Sequence, residues 1–85
     1  MNTHQRNDQL DKIANFLLTH LAATVGTAGP ITPGMSHSPV NVNPQWTLEH
    51  GRLALQRAID NEWIEPIPGS NTYKISPAWL KYLEL

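Results

Sequence analysis

Four histidines, His4, His20, His37 and His50, are the first residues in this 85-residue chain that invite chemistry. Imidazole is the commonest metal ligand and titrates near neutral pH. A metal site needs convergent ligands. These four fall in four different segments, with no pair at helical spacing and no cysteine to complete a thiolate set. Ser36-His37-Ser38 sets hydroxyls beside an imidazole, but in a run rich in Gly and Pro. A nucleophile and its base need a third group to orient them, so the tripeptide reads as loop. No Gly-rich phosphate cradle follows a strand. The sequence predicts no catalytic residue, no metal site and no cofactor, and so a protein that is not an enzyme.

Binding chemistry is better represented. Between Thr47 and Asn61 lie His50, Arg52, Gln56 and Arg57. Arginine can pair bidentately with guanine and glutamine with adenine, which makes these four candidate base contacts if the segment is a helix in a major groove. Downstream, Ser70, Asn71 and Lys74 are candidate phosphate contacts. The plainer reading is a solvated helix face and an ordinary turn, because Glu49 and Asp60 share that surface and repel phosphate. Charge favours the plainer reading. Six Lys and Arg face seven Asp and Glu, a formal net charge of −1, whereas domains that live on phosphate contacts usually carry a basic surplus.

A second binding chemistry is apolar. Trp46, Trp63 and Trp79 each sit at a segment boundary. Large rings either bridge layers of a small core or anchor interfaces. Trp46 closes a stretch from Ile13 to Leu48 that holds no Asp, Glu, Lys or Arg. Interface centres are depleted of charge, so Met35, Val42 and Trp46 are the candidate protein-contact residues.

Several elements must position these groups. Leu10, Ile13, Ala14, Leu17, Leu21 and Val25 recur at three- and four-residue steps, predicting a helix over 8–23 capped by Asn7 or Asp8, with Phe16 and Leu18 widening its stripe. The segment 24–46 carries Pro30, Pro33, Pro39 and Pro44 with Gly26, Gly29 and Gly34, and reads as a long loop. Its tip, 26–37, is expected to be the least ordered part, and Val40 and Val42 are expected to anchor its end, in a short strand if one forms. A second helix spans 47–62. Thr47 is its N-cap, and Leu48, Leu55, Ile59 and Trp63 form its inward stripe beside Gly51 and Ala58. Glycine inside a helix costs about 1 kcal/mol against alanine, which points to a close backbone approach at Gly51. A β-hairpin over 64–75 turns at Pro68-Gly69-Ser70-Asn71. Ser76 and Pro77 then open a short helix over 77–84, with Trp79, Leu80 and Leu83 facing inward.

This order resembles the winged helix-turn-helix superfamily over residues 47–85. The stretch "LALQRAIDNEWIEPIPGSNTYKISPAWLKYL" matches a recognition helix, a two-stranded wing and an Ile-Ser-Pro opening of a further helix. The resemblance implies an α+β fold, a single winged-helix-like domain over 1–85 with an internal loop at 24–46. The helix that normally crosses the recognition helix would have to be missing, reduced to a turn or replaced by that Pro-rich loop. The implied function is a DNA-binding transcriptional regulator with double-stranded DNA as partner. The alternative is a protein-binding module that modulates a larger protein complex, in the style of small phage or mobile-element regulators. A homodimer suits either. The polar start without a signal-like apolar core, the lack of an apolar span and the absence of cysteine point to a cytoplasmic protein with no membrane partner.

Overall fold

The computed structural model describes the backbone of residues 3–27 and 29–84 and the side chains of 8–27 and 29–83; the expectations for residues 1, 2, 28 and 85 lie outside this range. Among the described residues the fold is α+β: four helical segments and one two-stranded antiparallel hairpin. No described helix is long and apolar enough to cross a membrane.

Helix α1 runs Thr3–Val25, so Asn7 and Asp8 lie inside it rather than capping it. Nothing in Thr3–Asn7 is a breaker, and the helix extends back past both. Ala14, Leu17, Leu18 and Leu21 are fully or almost fully buried. Gly26 ends the helix with φ +82° and donates its N–H to the Ala22 carbonyl at 3.0 Å, the left-handed stop that glycine adopts without a steric penalty.

The expectation of a loop over 24–46 is corrected. Ile31 is wholly buried. It exchanges two backbone hydrogen bonds with Tyr73, at 2.7 and 2.8 Å, as an isolated antiparallel bridge. Pro33–Asn41 then forms a 3-10 helix with Ser36 and Pro39 buried. Proline holds φ near −65°, which suits 3-10 geometry. The i→i+3 bonds Met35 N–H to Thr32 O and Val42 N–H to Pro39 O, both 3.0 Å, do not call on a proline N–H. The tip expected to be least ordered therefore carries buried, hydrogen-bonded residues. Val40 and Val42 form no strand and are 48% and 63% exposed; Pro39 and Trp46 hold this stretch instead.

Helix α2, Leu48–Asp60, packs chiefly against α1. Its buried face is Gly51, Ala54 and Ala58. Leu55 and Ile59 flank the core half-buried, but Leu48, expected on the inward stripe, is 70% exposed. Small side chains sit where backbones approach most closely, which displaces larger ones to the margins of the face. The close approach at Gly51 is to the 3-10 helix: a Cβ there would lie 2.7 Å from the Ser36 carbonyl oxygen.

Strands β1, Ile64–Pro66, and β2, Tyr73–Ile75, pair with Ile64 opposite Ile75, Glu65 opposite Lys74 and Pro66 opposite Tyr73. Ile67 N–H to Thr72 O at 2.9 Å carries the pairing toward the turn, where Gly69 takes φ +80°. With Ile31 on its other side, β2 lies between Ile31 and β1. The missing Pro66 N–H therefore falls on an edge strand, where it is tolerated. Helix α3 spans Pro77–Glu84. Buried Ser76 donates its hydroxyl to the Glu62 carbonyl and accepts the Ala78 N–H. Trp79 is buried and donates its indole N–H to Asn15 Oδ1 of α1 at 3.1 Å. Tyr82 lies against Trp63, centroids 4.7 Å apart. Trp79 is thus the one buried side chain among the described residues of α3; Tyr82, one turn on, is 41% exposed. Leu80 and Leu83, expected inward, are 40% and 50% exposed, each one residue, or about 100°, further round the helix.

Candidate binding surface of helix α2 and the hairpin

Thr47 begins the surface. Its Oγ1 accepts the His50 N–H at 3.1 Å, and His50 Nδ1 accepts the Thr47 N–H at 3.2 Å. This is a reciprocal capping box with imidazole where Glu or Gln usually stands. Acceptance at Nδ1 leaves the proton of the neutral ring on Nε2. The His50 ring lies 5.7 Å from that of Trp46, so it faces the Trp46 side of α2.

The remaining polar groups are paired with carboxylates or their neighbours. Arg52 grips Glu49 with Nη2 at 2.6 Å and Nε at 3.1 Å, both side chains well exposed. The Arg52 hydrogen bond holds the Glu49 carboxyl below its usual range, and the same bond raises Arg52. Gln56 donates to Asp60 at 2.9 Å. Arg57, expected on the exposed face, is turned into the α1–α2 seam, where its Nε meets Asp11 Oδ1 at 2.6 Å. Asn61 donates to the same oxygen at 2.9 Å. Partial burial works to raise the Asp11 carboxyl, but the two hydrogen bonds and the Arg57 charge together outweigh it and hold the group below its ordinary value. Lys74 faces Glu65 across the hairpin at 3.8 Å. In the turn, Ser70 and Thr72 bond each other at 2.6 Å, and Asn71 is exposed.

The candidate protein contacts separate. Trp46 is only 6% exposed, and its indole N–H is spent on the Ser36 carbonyl at 2.8 Å. Its ring packs on Phe16 with centroids 5.3 Å apart. It is a core residue, as are Trp63 and Trp79. Met35 packs half-buried against the core, and Val42 points outward.

Two features of the surface have no local sequence signal. The Asp11 clamp joins residues 46 positions apart. An apolar groove of about 450 Å³ opens between the 3-10 helix and α2, with Pro33, Gly34, Leu48 and Leu55 along it and His37 and Arg52 at its rim. Among the described residues, no three of His, Asp and Glu are placed to share a metal ion. Comparison with protein-family models, with curated proteins and with solved structures yields no match to this chain.

Proposed function

We propose that the chain is a small non-enzymatic regulator on a winged-helix-type scaffold, and that its outer surface engages a protein. The observation that carries this reading is the pairing of the cations: Arg52 with Glu49, Arg57 with Asp11 and Lys74 with Glu65. What α2 and the hairpin present outward is close to electroneutral, with Glu49 and Asp60 exposed on the same helix as Arg52. Counterion release, the main driving force for DNA, needs unpaired cations. The groove beside this face is apolar, and Leu48, 70% exposed, lies along it. Apolar centres with a thin polar rim suit protein partners, a second copy of this chain included.

Duplex DNA is the second reading, and the topology favours it. The order is α1, the Ile31 bridge onto β2, the 3-10 helix, α2, then β1 and β2. That order resembles the winged-helix one if the 3-10 helix stands in for the longer helix that crosses α2 and the hairpin for the wing. In that arrangement Arg52 and Gln56 would face the groove, and Ser70, Asn71 and Lys74 the backbone. Exposed ion pairs are worth little, so Arg52 could exchange Glu49 for a guanine. Fold alone does not choose the partner.

One experiment separates the two. Leu48→Asp and Arg52→Ala variants are compared with the wild type in anisotropy titrations against a random duplex pool at low and moderate salt, and in sedimentation and capture measurements. The protein reading expects no salt-sensitive duplex binding, and loss of self-association or of a captured partner in Leu48→Asp with the fold intact. Tight duplex binding that weakens steeply with salt and is lost in Arg52→Ala would replace it with the DNA reading.

A further inference from the structure

A second recess lies apart from the apolar groove. It has a volume of about 260 Å³ and is bounded by α1, by the turn before α2 and by the first turn of α2. Its walls are apolar and flat: Phe16, 37% exposed, lies against the Trp46 ring, and Ile13 lies beside them. Its polar lining is Lys12, His50, Asn43 and Gln45. No Asp or Glu lines it, although carboxylates outnumber Lys and Arg in the chain.

The hydrogen-bonding capacity left over in this lining is nearly all donor. His50 spends Nδ1 on the Thr47 N–H, which leaves Nε2–H. Asn43 spends Oδ1 on the Gln45 N–H at 3.0 Å, which leaves its amide N–H₂. Lys12 is exposed and, among the described residues, has no carboxylate within 4.0 Å, unlike Arg52, Arg57 and Lys74. Trp46 offers no donor, because its N–H is committed to Ser36. Side-chain acceptor capacity is left only on Gln45 and in the second lone pair of Asn43 Oδ1. A concave site of this kind takes a ligand with a flat apolar body and acceptors at one end.

We propose that this recess binds a small planar anion, an aromatic or conjugated carboxylate. The flat body rests on Phe16, and the carboxylate meets Lys12 and His50 Nε2–H, with the Asn43 amide in support. Such a ligand ties α1 to the first turn of α2 through groups from both helices. It therefore stabilises the folded chain by mass action, whichever macromolecule the outer face meets.

The test is a heteronuclear NMR titration of the full chain with benzoate, set against benzamide as the neutral isostere and inorganic phosphate as the anion without a ring. Saturable shifts are expected at the Trp46 indole N–H and at the backbone amides of Lys12, Phe16, Gln45 and His50. Benzoate should bind at least about tenfold more tightly than either control. Lys12→Met should erase the preference of benzoate over benzamide while the rest of the spectrum stays in place. Phe16→Ala should weaken both aromatic probes. Absence of saturable shifts with benzoate, equal binding of benzoate and benzamide, or an unchanged preference in Lys12→Met overturns the proposal. Phosphate binding as tightly as benzoate overturns the aromatic part and leaves a plain anion site.

Discussion

Replacing Gly51 by alanine sets two physical effects against each other. In an exposed helix interior the change stabilises by about 0.8–1 kcal/mol, because alanine loses less backbone entropy. In this structure the new methyl would stand 2.7 Å from the Ser36 carbonyl oxygen, 3.1 Å from Ser36 Oγ and 3.2 Å from a ring carbon of His37. The first neighbour is backbone and cannot rotate away. The 3-10 helix must retreat by several tenths of an ångström. The Ser36 oxygen that moves is the acceptor of the Trp46 indole N–H. Overpacking of this kind costs about 1–3 kcal/mol, and weakening the buried hydrogen bond adds up to about 1 kcal/mol. Net of the helix gain, Gly51→Ala should destabilise by up to about 3 kcal/mol, which lowers Tm by as much as roughly 24 °C in a domain of this size. Gly34→Ala is the control, since a Cβ there meets nothing within 4 Å; it should change stability by less than about 1 kcal/mol. Urea and thermal denaturation followed by circular dichroism measure both. The Trp46 indole proton resonance should shift in Gly51→Ala alone. A Gly51→Ala variant that gains the full helix increment of about 0.8–1 kcal/mol, with the Trp46 indole resonance unmoved, would refute the close contact between α2 and the 3-10 helix.

Two further perturbations test the seams around the core. The folded Asp11 carboxyl titrates below its unfolded value, so its contribution is full above the ordinary carboxylate range near 3.8 and is lost as pH falls through the lower folded value. Asp11→Asn should therefore cost about 1–3 kcal/mol at neutral pH, and the gap from wild type should close in acid; a gap independent of pH in urea denaturation would contradict the Arg57 clamp. Ser76→Ala removes both the hydroxyl bond to Glu62 O and the cap on the Ala78 N–H. It should cost about 1–2 kcal/mol, with amide exchange speeding up first in α3; exchange unchanged at Ala78 and Trp79 would argue against the cap.

Much of the fold was legible where the information is local. Thr47 as a cap, the Pro68–Asn71 turn with alternating residues on its arms, and Ser76-Pro77 ahead of α3 are short-range signals, because a cap or a turn is closed by atoms a few residues apart. The same holds for the heptad-like stripe of α1. Periodicity alone placed Leu48, Leu80 and Leu83 inward, and all three are exposed. A helix has several apolar stripes to offer, and only its neighbours choose among them. The Pro-rich segment failed differently. Proline forbids an α-helix interior, but it does not forbid a 3-10 helix, and the sequence alone has no way to weigh Ile31 against Tyr73, 42 positions away.

The candidate site divides along the same line. From the sequence alone came the near-neutral charge, the run of residues 13–48 without Asp, Glu, Lys or Arg, and the short roll of cations on α2 and the hairpin. Which cations are available was decided by tertiary structure. Arg57 looked outward by helical phase, yet the long guanidinium stem reaches back to Asp11 on α1, where partial burial makes pairing worth more than solvation. Trp46 read either as a core ring or as an anchor at the end of an uncharged stretch, and the carbonyl of Ser36 and the ring of Phe16 draw it into the core. Local pattern determines which elements form because their closing contacts lie within a turn or two. Burial and pairing are settled between elements, and those contacts exist only once the chain has folded.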